Sequence, residues 1–389
     1  MTNPEIEWDP GEFTEVEQRM AQMAEVRATC PVGFTHRRSP HWTVARYDDL
    51  KAVAGDAAAF SNGGSPRFGR ALPPLEVDPP VHTRFRSALQ NFFMPTRVRP
   101  LEAKVQQCAH DLLTPLLERG HGDLAREFAN PIPVFALCEL LGIDGSEWQE
   151  LKRLGELQLG VESPDKAEQE AALVAHDLLM ARAYAIIAQR RENPREAGTD
   201  VISTFLAMEV DGKRLDDDLV AGMIRLFISA GHNSTTNAIG NSLLYLARNP
   251  EAQDLLRREP ERLPAAIEEL LRYESPVQEM FRWATADHEI GGQTIKAGDR
   301  VGMLWGSGNR DEAVFPDADK CLLDRKPNRH LAFGHGIHMC LGAPVARMEL
   351  RVALTEVLSR TRHFAVDGEV IRKPFHHMGV YQMPIRFTV

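Results

Sequence analysis

Apolar positions recur at helical spacing along most of this chain, and short alternating runs break in at only a few places. An amphipathic stretch covers residues 12–29, strand-like runs surround 42–46, and a helix is expected from Tyr47. Gly, Pro and Ser crowd residues 61–80, including Ser61-Asn62-Gly63-Gly64-Ser65-Pro66, so this segment is expected to be loop. Loops of that length in a compact domain are usually functional or disordered. Residues 97–119 and 131–142 read as buried helices. Two more, 146–160 and 164–191, flank the polar connection Glu162-Ser163-Pro164-Asp165-Lys166 and suggest a lid over 146–192. Val210-Asp211-Gly212-Lys213 predicts a tight hairpin turn. A helix from Pro264 ends before Pro276, alternating strands fill 277–305, a last helix covers 343–362, and strands return from Phe364.

The longest helical run covers 216–249. Asp216, Asp217 and Asp218 occupy its first turn, where negative charge is favoured, and no proline interrupts it. At 1.5 Å per residue it would span roughly 50 Å and must cross the interior. Its middle nevertheless reads Ala230-Gly231-His232-Asn233-Ser234-Thr235-Thr236-Asn237, too polar for simple core packing. Hydroxyls bonding back to the helix beside a glycine are expected to widen or kink it there.

Residues 333–342, Phe-Gly-His-Gly-Ile-His-Met-Cys-Leu-Gly, precede the last helix. Gly334, Gly336 and Gly342 are expected to adopt backbone angles closed to other residues. Cys340 faces the unpaired N–H groups of the next helix, which favours thiolate over thiol. Such a thiolate can be a nucleophile, a redox centre or a metal ligand.

Bulk properties narrow the classes. The 389 residues carry a net charge of −10, against nucleic acid and anionic membranes as partners. No linker composition or repeat divides the chain, so one domain over 1–389 is expected, with 1–30 as an N-terminal segment. Hydrophobic content of 43% supplies a core. Residues 1–13 are acidic without an apolar signal region, no eighteen apolar residues run together, and the five cysteines form no CxxC pair. A cytoplasmic protein is expected.

The cysteine segment fills every defining position of F-G-x-G-x-H-x-C-x-G and so resembles the haem loop of the cytochromes P-450, haem-thiolate monooxygenases. The resemblance implies a mainly α fold with small β-sheets and a long central helix over the haem. It implies Cys340 as axial ligand to the iron of heme b, Phe333 shielding its sulfur, and His338 bonding a propionate. Asp78-Pro79-Pro80-Val81-His82-Thr83-Arg84-Phe85-Arg86 is similar to the family's D-P-P-x-H-T-x-x-R. His82 and Arg86, one helical turn apart, would then contact propionates, as would Arg282 from a strand. Glu268-Glu269-Leu270-Leu271-Arg272 resembles E-x-x-R, implying a buried Glu269–Arg272 pair completed by Arg325. In the family the 61–80 loop roofs the substrate pocket. Arg67 and Arg70 there are read as solvated rather than substrate-binding. Leu226, Ser229, Gln278, Met280 and Val380 would line that pocket and suit a small or medium apolar molecule with a polar handle.

The polar block resembles the family's oxygen-binding groove, A/G-G-x-D/E-T, with Ala230 and Gly231 over the haem. Asn233 stands where the acid is usual and Ser234 where threonine is usual. Asparagine cannot ionise but can orient water, and serine keeps the hydroxyl without the stiffening methyl. Three outcomes stay open: proton delivery through water held by Asn233 and Ser234, poor coupling with loss of peroxide, or direct use of hydrogen peroxide.

A thiolate ligand favours O–O cleavage, so the implied reaction is insertion of one oxygen atom of dioxygen by hydroxylation, epoxidation or oxidative dealkylation. Without a flavin or iron–sulfur motif, electrons would come from a ferredoxin and its NAD(P)H-dependent reductase. Arg86, Arg97, Arg99, Lys326, Arg329 and Arg347 are candidate docking cations, and a monomer is the family default. The rivals are a peroxygenase, a haem sensor without turnover, and a cysteine hydrolase lacking an evident His partner.

Overall fold

In the computed structural model, the described residues are 5–6, 8, 16–37, 39–64, 69–145, 148–158, 165–372 and 378–389. Arg67, residues 1–4 and 162–164 of the lid connection therefore lie outside them. Helices run in the order α1 (Val16–Thr29), α2 (Tyr47–Gly55), α3 (Val81–Gln90), α4 (Pro95–Arg119), α5 (Pro131–Leu141), α6 (Trp148–Leu157) and α7 (Lys166–Glu192). They continue as α8 (Val201–Ala207), α9 (Asp217–Arg248), α10 (Pro250–Arg258), α11 (Leu263–Glu274), the short α12 (Trp305–Gly308) and α13 (Ala343–Arg360).

The main sheet has five strands: β1 (Val32–Thr35), β2 (His41–Val44), β3 (Phe60–Ser61), and then, after β4 (His121–Asp123), β5 (Glu209–Val210) and β6 (Lys213–Arg214), β7 (Glu279–Ala284). Following β8 (His288–Ile290) and β9 (Gln293–Ile295), β10 (Arg300–Leu304) completes the order β1-β2-β10-β7-β3, in which only β2 and β10 are parallel. The remaining strands, β11 (His363–Val366), β12 (Ile371–Arg372), β13 (Val380–Gln382) and β14 (Pro384–Thr388), form small sheets or ribbons. Asp211 and Gly212, with φ of 53° and 74°, make the expected hairpin turn between β5 and β6.

Helix α9 is the axis of the helical core and packs against α5, α6, α7, α11 and α13. Ile224, Ile228, Ile239, Leu243 and Leu244 are essentially removed from solvent. Burial of each such side chain contributes about 1.5–3 kcal/mol, enough to fix a long helix with a polar middle. A separate apolar cluster fills the sheet around Trp42, Val44, Val301 and Met303. The expected widening of α9 does not occur: it stays α-helical throughout, and Ser234 Oγ reaches Ala230 O only at 3.5 Å.

The three aspartates at the start of α9 act as a clasp. Asp216 caps Leu219 N at 2.8 Å and takes two bonds from Arg70, at 2.6 and 2.8 Å. Asp217 pairs with Arg191, and Tyr184 donates to Asp218 at 2.6 Å, both from α7. The reading of Arg70 as merely solvated is thus corrected: it ties the 61–80 loop to the central helix. Leu72 of that loop packs so closely on Gly222 that a Cβ there would lie 2.6 Å from it.

Helix α7 also has an 18-residue window of mean hydropathy 1.5, long and apolar enough by composition for a membrane span, although it packs on α6, α8 and α9.

Candidate haem-thiolate site

The cysteine loop is shaped from both sides. Cys340 N donates to Phe333 O at 2.8 Å, closing the loop on itself. Gly334 and Gly336 have φ of 73° and 72°, whereas Gly342 has an ordinary φ of −79° at the head of α13. The expectation of a special backbone therefore holds for two of the three glycines. Arg347 lies over the Phe333 ring, 4.4 Å from its centroid, and takes both oxygens of Glu268 at 2.7 Å.

The Cys340 side chain is accessible although protein atoms surround it, as a group facing an internal space must be. Burial pushes its thiol pKa up, against the N–H groups of Gly342 and Ala343 and the charge of Arg86. The N–H groups at the helix terminus favour the thiolate as expected, but burial outweighs them. A metal cation displacing the proton would supply what burial withholds.

Four donors gather beside the loop. The His82 and His338 rings lie 4.4 Å apart. Neither His82 nitrogen nor His338 Nε2 makes a hydrogen bond of good geometry among the described residues, though the Ile337 backbone faces the His82 ring. Burial lowers the pKa of His338 to about 3, helped by Arg282, His82 and Arg86. Burial likewise lowers Arg282 to about 10, with Asp78 opposing. Arg282 gives one bond to Phe281 O at 2.8 Å, and Arg86 gives one to Met339 O at 2.6 Å. Donors and cations of this kind, His82 and Arg282 buried and Arg86 partly so, with so little acceptor capacity, fit an anionic group such as a pair of carboxylates. Asp78, beside them, is instead engaged by Ser61 Oγ and by Asn62 N at 3.0 Å.

Glu269 and Arg272, both fully buried, form a two-bond ion pair at 2.8 Å. Arg325 Nε adds bonds of 3.0 and 3.1 Å to the same carboxylate, with Leu322 N at 2.7 Å and Asn328 Nδ2 at 3.1 Å. Arg272 spends its other donors on the carbonyls of Asn309, Ala318 and Lys320. Burial pushes Glu269 up, but these partners outweigh it and hold its pKa below the usual value. The network pins the segment leading to the cysteine loop onto α11.

On α9, Ala230 and Gly231 are exposed although Ile228, His232 and Asn233 nearby on the helix are buried, so an internal space borders the helix there. Asn233 is buried with its Nδ2 unpaired among the described residues. Leu226, Ser229 and Met280 are partly open. Ser229 Oγ lies 3.3 Å from Gln158 Oε1 at the end of α6. Two expected pocket residues are turned away. Gln278 is fully buried, donates to Glu274 O at 3.0 Å, and packs on Gly306 where a Cβ would lie 2.0 Å from its Oε1. Val380 is buried against Gly240. The family resemblance that implies both positions does not show which way a side chain points.

Sequence reasoning gave no role to Asp78, to the buried carboxyl of Glu349, or to Asn237 and Asn241. The last two follow Asn233 at i+4 and i+8, a spacing visible in the sequence. Of the docking cations, Arg347 and Arg97 are already engaged, the latter with Gly198 O at 2.9 Å.

The glycine-shaped cysteine loop has buried histidine nitrogens without partners among the described residues beside it. The cytochrome P450 family profile matches residues 164–389. The chain is 34% identical over 375 residues to "Cytochrome P450 109" of Bacillus spizizenii, covering 94% of this chain and 90% of that protein. It is 34% identical over 355 residues to "Mycinamicin IV hydroxylase/epoxidase" of Micromonospora griseorubida, 86% of each. The structure of a P450 EryK mutant in complex with erythromycin B superposes with a TM-score of 0.89 at 31% identity, over 98% of each chain. This chain belongs to the cytochrome P450 family and has its fold, and it is a cytochrome P450 monooxygenase.

Proposed function

We propose that this chain binds heme b through Cys340 and inserts one oxygen atom of dioxygen into a small or medium organic substrate. Convergence of buried, unpartnered donors on the cysteine loop carries the reading. When bound, a thiolate-ligated haem supplies reductive activation of dioxygen and oxygen transfer to carbon.

The chain's own residues set up the rest. His82, Arg86, Arg282 and His338 would hold the propionates, and binding would return to these groups the acceptors that burial denies them. Phe333, clamped by Arg347, would exclude water from the sulfur. Ala230 and Gly231, without bulk, leave room for a small gas molecule beside α9. Asn233 and Ser234 would orient water in that groove, and Leu226, Ser229 and Met280 would face the substrate. The alcohol and amide keep the donors and acceptors needed to hold water but no ionisable group, so the proton originates elsewhere.

Electrons would reach the haem from a ferredoxin and its reductase, docking on the cysteine face near Arg99, Lys326 and Arg329. An acidic carrier fits these cations. The replacement of an acid by Asn233 favours one second reading, a peroxide-driven enzyme.

The decisive experiment is the absorption spectrum of the reduced, carbon monoxide-treated protein, followed by turnover with redox partners and with hydrogen peroxide. A thiolate-type Soret shift that Cys340→Ala abolishes is expected, with more product from the reductant system. Normal pigment in Cys340→Ala would end the proposal. Asn233→Asp is expected to change coupling with reductant more than the peroxide-driven rate, and equal effects would remove Asn233 from proton handling.

A further inference from the structure

Helix α7 (Lys166–Glu192) carries apolar residues on two opposite sides. Its inner face, with Ala172, Ala175, Leu179, Ala183 and Ile186, is buried where the helix packs on α6, α8 and α9. The outer face has an apolar seam of its own. Ala167, Val174, Ala181 and Ala188 recur at every seventh residue and are all exposed, Val174 at 60%. Ala171, Leu178 and Ala185 form a second row one turn on from the first three, with Leu178 46% exposed.

A seven-residue repeat held over three heptads is the pattern of a seam between two helices, because it stays in line only when they wind about each other. Lipid requires no such period. Five of the seven seam residues are alanine. Alanines offer little apolar bulk to a bilayer but let a second helix approach to about 8 Å between axes. Glu170 and Asp177, exposed among the seam positions, further oppose an anionic lipid surface.

We propose that two copies of this chain pair through this face of α7, antiparallel about a two-fold axis at Ala181. The pairing goes beyond the monooxygenase reading and does not depend on haem. In this register Val174 faces Ala188 of the partner subunit and Leu178 lies beside Ala185 of the partner subunit, so each larger side chain meets a smaller one. The charges at the ends agree. Lys166 and Glu170, both exposed, meet Glu192 of the partner subunit and Arg191 of the partner subunit, which leaves every charge with an opposite one beside it. Arg191 bonds Asp217 at 2.8 Å yet keeps 57% of its side chain open. A parallel pair would instead stack Glu170 and Asp177 on their own copies. A seam of roughly 30 Å is short for a permanent dimer, so pairing in the micromolar range is expected where the family resemblance implies a monomer.

The test uses the full chain as purified. Sedimentation of the wild type from about 1 to about 100 μM should show a monomer–dimer equilibrium. Ala181→Glu sets two carboxylates on the axis and should raise the dissociation constant about tenfold or more. Its circular dichroism should match wild type, because the position is exposed. Under mild oxidation Ala181→Cys should cross-link to its own copy, and Val174→Cys mixed with Ala188→Cys should give mixed dimers. Val174→Cys alone should not cross-link, since its two copies lie about 21 Å apart along the axes. Wild type, with its five free cysteines, is the control.

A wild type that stays monomeric over that range overturns the proposal, and its binding to phosphatidylcholine vesicles would then assign the face to lipid. A dimer that Ala181→Glu leaves intact also overturns it, because the contact then lies elsewhere. Self-cross-linking of Val174→Cys does so as well, because the helices are then parallel. None of these readouts uses haem, so failure of the haem assignment would show in the carbon monoxide spectrum and leave them unchanged.

Discussion

Gly336 lies so close to Ala54, at the end of α2, that a Cβ added to it would stand 2.3 Å from the Ala54 carbonyl oxygen. The contact locks the cysteine loop to a helix almost three hundred residues earlier in the chain. Gly334, two residues away with nearly the same φ, has nothing within 4 Å of the corresponding position.

The two glycines therefore separate backbone strain from crowding. Gly334→Ala meets only the cost of its left-handed backbone, about 1–3 kcal/mol. Gly336→Ala meets that cost plus a backbone clash, so the loop must move. We expect near-normal haem content with a lowered melting temperature in the first variant and strongly reduced haem content in the second. Equal haem occupancy in both would mean that contact with α2 does not set the loop.

Removal of Arg272 strands a carboxylate in the core. Glu269 keeps Arg325, Leu322 N and Asn328, but loses its two-bond partner, the Asn309 and Ala318 carbonyls lose this donor, and the Lys320 carbonyl keeps only Arg325. Breaking a buried pair in this way costs about 3–5 kcal/mol. Arg272→Ala should yield apoprotein or no folded protein, and Arg272→Lys should rescue it poorly because an ammonium cannot reproduce the fork. Haem absorbance per mole of protein measures this, and a wild-type ratio in Arg272→Ala would refute it.

Glu349, on α13, links stability to pH. Burial raises its pKa from 4.5 to about 8, and its Oε2 has no partner among the described residues. The folded protein keeps a proton that the unfolded chain releases, so this contribution is complete below about pH 4.5 and is lost as pH rises toward 8. The slope is at most about 1.4 kcal/mol per pH unit. Glu349→Gln removes the titration, so its melting temperature relative to wild type should rise between pH 5 and pH 8. A constant difference would show that this carboxyl does not titrate in that window.

Much of the molecule is legible in the sequence, for local reasons. Helical periodicity, prolines at helix starts and the Asp211-Gly212 turn act over a few residues, and the tertiary structure leaves them in place. The spacing in 333–342 marked out the cysteine loop, and the i,i+3 step placed Glu269 beside Arg272 on one helix face. Tertiary structure decided what depends on direction and surroundings. It turned Gln278 and Val380 away from the pocket, engaged Arg70 with Asp216, and set Cys340 among enough protein atoms that desolvation outweighs the helix terminus. It also left the Asn237 amide without a partner among the described residues. Residue order fixes which groups share a turn or a face, whereas burial and the partners of a polar group arise only when distant segments close around it.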